Sequence, residues 1–164
     1  MTRRTAAGFT YIGLLIAVAL LGIALAAAGT VWRTEAQRER ERELLFIGHE
    51  FRAAIASYYR AGPTRQYPQS LDDLLEDRRS PEPMRHLRRL YADPMTGTAE
   101  WTLIAAPSLG VTGIASSSRG EPIKKDGFTG ADESFKDKTC YCEWQFVYRP
   151  GNPRKHRDPA PTPG

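Results

Sequence analysis

No charged residue occurs between Thr5 and Trp32. A gap of that length excludes an ordinary surface segment, because about 20 apolar residues at about 1.5 Å of rise each already cross a bilayer core as a helix. Histidine and cysteine are scarce as well, three and two in 164 residues. His49, His86 and His156 are scattered, no serine stands in a nucleophile elbow, and no glycine-rich phosphate loop is present. We therefore assign no active site and expect no enzyme; His49 reads as a surface or interface residue of a helix. The net charge of +4 gathers at Arg3 and Arg4 and again at Arg149, Arg154, Lys155 and Arg157, leaving the middle nearly balanced. Without interleaved aromatic and basic residues, no nucleic-acid partner is expected.

What is present starts with a short basic leader, MTRRTAAG, followed by FTYIGLLIAVALLGIAL from Phe9 to Leu25. The small residues and the glycine precede the apolar run, whereas a secretory signal is cut after it. A cut at this junction leaves the membrane helix on the protein. Arg3 and Arg4 have no acidic neighbour, so the leader is expected to stay in the cytoplasm and the rest to face outward.

The order of basic leader, Gly8, Phe9, Thr10 and an apolar helix containing Gly22 resembles the class III signal of type IV pilins and of the pseudopilins of type II secretion systems. The resemblance covers about the first thirty residues. It implies cleavage between Gly8 and Phe9 by a prepilin peptidase and methylation of the new amino terminus at Phe9. It also implies a single-pass inner-membrane protein with its C-terminal domain in the periplasm, and as partners membrane lipid, an inner-membrane assembly platform and other pseudopilins or pilins. One position departs from the family, whose mature fifth residue is a glutamate and here is Gly13. In the family that carboxylate is thought to pair with a neighbour's amino terminus, so that neither charge stands alone in lipid. Its loss implies a special position such as the filament tip, or neutralisation by a glutamate of another subunit.

The apolar segment runs on without proline or glycine from Arg33 to Glu43, where opposite charges recur three apart: Glu35 with Arg38, Arg38 with Glu41, Glu39 with Arg42 and Arg40 with Glu43. Leu44, Ile47, Phe51, Ile55 and Tyr58 then form one apolar helical stripe, and Gly62 and Pro63 end it. The fold expected is α+β: a long N-terminal helix, half membrane and half amphipathic, packed on a small antiparallel sheet in the manner of a pilin. Its parts are a leader at 1–8, a membrane or filament-core helix at 9–32, an amphipathic continuation at 33–60, a small α+β domain at 61–149 and a disordered tail at 150–164.

Within that domain, Ser70 and Asp73 predict a helix start and a short helix over 71–77, interrupted by Pro81 and Pro83, with a second over 84–90. Asp93, Pro94 and Gly97 form a turn signal; strands are predicted at 101–105, 111–115 and 141–148, with a long loop at 116–138. The Tyr67–Pro68 start and the Asp93–Pro94 turn, in this order behind such a helix, resemble the secretion branch of the family. The major pseudopilins of that branch hold calcium in a late loop, which makes Asp126 and Asp132 candidate ligands, though Lys124, Lys125, Lys136 and Lys138 offer nearer neutralisation. Cys140 and Cys142 are read as sharing one face of a strand, in a structural or local redox role, with an interchain bridge, free thiols or half a metal site as alternatives.

The function these readings favour is a structural pseudopilin of a type II secretion system. The alternatives are a minor type IV pilin serving adhesion, motility or DNA uptake, and a membrane-tethered binding or redox module built on the two cysteines.

Overall fold

The computed structural model describes residues 7–62, 64–106 and 109–151, without the side chains of 7–10, 26–28, 30 and 31. Most of the expected leader and tail, with His156, therefore lies outside the described residues. The protein is α+β, with one long helix and a small three-stranded antiparallel sheet. Helix α1 spans Ala7–Ala61, 55 residues. No proline falls in it, and Gly62 follows directly where the backbone must leave the helix.

The chain divides into two compact units, Met1–Glu39 and Arg40–Gly164. In the first unit the described apolar side chains from Tyr11 to Leu25 are all exposed, from 51% at Leu15 to 68% at Ile23. Nothing within that unit buries them.

In the second unit the expected stripe holds: Leu44, Ile47, Phe51, Ile55 and Tyr58 are all buried and form one cluster with Ile114, Phe135, Tyr141, Trp144 and Phe146. Strand β1 (Thr102–Ala106) pairs with β2 (Gly110–Ala115), and β2 pairs with β3 (Phe146–Val147), all antiparallel, with a register shift between Ile104 and Ala105. Gly110 opens β2 at φ +97°, and a Cβ there would run into the carbonyl of Pro68. Glycine therefore meets two needs at once, a left-handed backbone and a close approach that lets Val111 N–H donate to Pro68 O at 2.7 Å.

Three predicted elements are corrected. The helix expected over 71–77 is a single 3-10 turn, Asp72–Leu74. Asp73 rather than Ser70 supplies its side-chain contact, accepting from the backbone N–H groups of Gln69 and Ser70 at 2.7 and 3.1 Å. The helix expected over 84–90 is irregular, bent chain after an isolated bridge at Met84, because its donors go elsewhere: Met84 N–H bonds Asp77 O, and the N–H groups of His86 and Leu87 both bond Leu74 O. The long strand expected over 141–148 is a 3-10 turn, Tyr141–Glu143, followed by the two-residue β3. A three-residue period there puts Tyr141 and Trp144 on the same side, both buried and 5.4 Å apart between ring centres. The loop at 116–138 also carries a 3-10 helix, Gly130–Phe135, whose Phe135 stacks on Trp144.

Candidate functional site

Residues singled out by the sequence fall at three places, and the structure adds a fourth. The first is the start of α1. Gly8 and Phe9 lie in its first turn, with side chains outside the described residues. Gly13 lies within the helix, and among the described residues nothing beyond its chain neighbours and the adjoining helix backbone comes within 4 Å of where its Cβ would stand. Around it Tyr11, Ile12, Leu14, Leu15 and Ile16 are exposed and form an apolar surface. Among the described residues no helix is long and apolar enough to cross a membrane, and the described apolar side chains, Tyr11 to Leu25, by themselves fall short of the about 20 residues a span takes.

The second place is the late acidic loop. The structure does not join Asp126 and Asp132 in one ligand set; each has its own partners. Exposed Asp126 pairs with Lys136 at 3.0 Å. Asp132 accepts from Arg52 at 2.7 Å and His49 at 2.6 Å, both on α1. Burial pushes the Asp132 carboxyl up, but the hydrogen bonds from His49 and Arg52 outweigh it and hold it below its ordinary value. Among the described residues no group of three or more His, Cys, Asp or Glu is arranged to hold a metal ion. The sequence placed His49 on the helix surface, and its ring is half exposed there, but its bond to Asp132 could not be seen without the loop's path.

Third, Cys140 and Cys142 are joined to each other in a disulfide. The strand face expected for them is absent, since Cys140 instead starts the 3-10 turn and Glu143 accepts from the backbone of Thr139 and Cys140. The bridge closes a tight turn that presents Tyr141 and Trp144 to the core.

The fourth place had no sequence signal. Ser57 Oγ bonds His86 Nδ1 at 2.9 Å, and His86 Nε2 bonds Asp77 Oδ2 at 3.2 Å. Arg79 grips the same carboxylate with two donors, at 2.8 and 2.6 Å, and donates to Tyr58 O at 2.7 Å. That carbonyl belongs to the last turn of α1, where carbonyls lack helical partners and a cation is favoured. The Arg79 side-chain hydrogen bonds hold the Asp77 carboxyl far below the usual carboxylate range, against the opposing pull of burial. The order serine, histidine, aspartate resembles a nucleophile relay, but its imidazole is only 1% exposed and Ser57 sits inside a helix whose N–H groups are already used. What the network does is fasten the end of α1 to the chain between Asp77 and Leu87.

No family model matches the chain, and comparisons with curated proteins and solved structures found no significant match.

Proposed function

We propose that this chain is a pilin-like structural subunit, a pseudopilin of a type II secretion system, that assembles through the first part of α1 into a periplasmic filament. One observation carries the reading: a single helix, Ala7–Ala61, has an exposed apolar stretch from Tyr11 to Leu25 and an amphipathic stretch from Leu44 to Tyr58 that forms the core of an α+β unit. The basic leader ending at Gly8, with Phe9 after it, precedes the apolar stretch in the sequence. In this reading the apolar stretch sits in the inner membrane before assembly and against other subunits afterwards. The unit from Arg40 onward then stands in the periplasm, an oxidising compartment that suits the Cys140–Cys142 bridge. The subunit acts by packing, and its partners are other pseudopilins, the prepilin peptidase and the assembly platform.

The test is mass spectrometry of the mature amino terminus from cells carrying a prepilin peptidase. A chain beginning with methylated Phe9 is expected. An intact Met1, or a cut beyond Ala28, overturns the proposal.

A further inference from the structure

Two exposed faces of the Arg40–Gly164 unit carry opposite charge. On α1, Glu43, Phe46 and Glu50 follow one another at steps of three and four, the spacing of one helical stripe. Phe46 is 59% exposed, the most exposed large apolar side chain among the described residues of this unit. Both glutamates are exposed, and among the described residues neither has an ion pair; Arg42, one turn before Phe46, is already engaged. The other face is the chain from Met84 to Leu90. Arg85, Arg88 and Arg89 are exposed and without ion pairs among the described residues, Arg89 lying over the Tyr91 ring, and Met84 and Leu90 expose apolar surface beside them.

This second face is held still. His86 and Leu87, between the arginines, point inward: Leu87 is buried, His86 bonds Ser57 and Asp77, and both backbone N–H groups bond Leu74 O at 2.9 Å. Arg85 and Arg88 are thereby set outward on a fixed backbone, which lowers the ordering cost of docking.

We propose that the Glu43, Phe46 and Glu50 stripe of one copy docks on the Met84–Leu90 face of a second copy of this chain. Phe46 packs against Met84 and Leu90, and the glutamates meet the arginines. The two faces are different surfaces of the chain, so the contact either repeats head-to-tail from copy to copy or is made twice in a reciprocal pair. In a chain with Gly13 in place of the family's glutamate, it sets neighbour register outside the membrane. It needs no leader processing, so its failure and a failure of the amino-terminal test are separate outcomes.

The experiment places a photo-reactive benzoylphenylalanine at Phe46 of the full-length chain in detergent micelles and maps the adducts by mass spectrometry. Dimer adducts within residues 84–90 are expected, with a yield that falls as salt is raised. Glu50→Arg and Arg88→Glu should each lower the yield about fivefold, the scale of two surface ion pairs, and the chain carrying both should recover it. Adducts mapped elsewhere on the second copy or only to detergent, or a yield unmoved by either reversal, overturn the proposal.

Discussion

The Tyr141 hydroxyl donates to the Glu41 carboxylate at 2.9 Å, tying the disulfide turn to α1. The same oxygen accepts from Ile123 N–H at 2.6 Å and Lys124 N–H at 3.3 Å, so one carboxylate, 4% exposed, holds both the turn and the late loop on the helix. Hydrogen bonds to a charged group contribute about 1.5–3 kcal/mol, and a buried donor left unmet costs about as much. Glu41→Ala should therefore destabilise the folded unit by about 2–3 kcal/mol in chemical denaturation, and Tyr141→Phe by about 1.5 kcal/mol. The double variant should lose less than the sum, by about 1 kcal/mol. Strictly additive losses would show that the contact carries no coupling.

Acid should loosen the end of α1. Asp77 is held well below its ordinary 3.8 chiefly by the Arg79 hydrogen bonds, and Asp132 lies below the same value despite its burial. A carboxyl whose folded value is depressed binds fewer protons folded than unfolded. Its contribution is thus complete above the unfolded value of about 3.9 and is lost as pH falls below it. Thermal midpoints should be level from about pH 5 upward with respect to these two groups and decline below about pH 4. Asp77→Asn, which leaves Arg79 without its anion, should cost about 3 kcal/mol at neutral pH and flatten the acid decline. An Asp77→Asn midpoint that tracks the unaltered chain at every pH would remove Asp77 from this account.

The helix and its inward stripe were legible because burial repeats with the helical period from Leu44 to Tyr58, and tertiary packing only reinforces it. The turn at Asp93 was legible for a local reason too, since its carbonyl and carboxylate bond the next residues of the same turn. The chain at 84–90 was not. Its residues suit a helix, but its N–H groups are claimed by Leu74 and Asp77, partners that only the fold supplies. Aromatic content at 141–148 likewise suggested a strand, where burying Tyr141 and Trp144 on one side requires a three-residue period. The Ser57, His86, Asp77 and Arg79 network joins α1 to a segment whose path propensity misreads, so no spacing in the sequence announces it.

Gly48 of α1 lies directly against Phe146 of β3. A methyl group there would run into the Phe146 ring, which is fully buried. Alanine would favour the helix by roughly 0.5–1 kcal/mol, but overpacking of a filled core costs about 1–3 kcal/mol. Gly48→Ala should therefore be a net loss of about 1–2 kcal/mol. The companion Gly48→Ala with Phe146→Leu should recover part of it, by making room for the methyl. A Gly48→Ala chain more stable than the original would mean that helix and sheet separate readily.

Gly13→Glu tests the departure from the pilin pattern with little risk to the fold. Among the described residues, no atom beyond the adjoining helix backbone lies within 4 Å of the new Cβ, and the site belongs to unit Met1–Glu39 rather than to the Arg40–Gly164 unit. The midpoint of that unit should be unchanged. In lipid, a carboxylate at this depth costs about 3 kcal/mol or more unless a cation meets it. Under the proposed function the cation is the methylated amino terminus of a neighbouring subunit, which the glycine leaves to find another partner. The variant should therefore enter filaments in larger amount than the original chain, read as the fraction sheared from cells and sedimented with the major subunit. Processing at Gly8 and Phe9 should be complete in both. Equal incorporation with processing intact would mean that the missing carboxylate does not govern where this subunit sits.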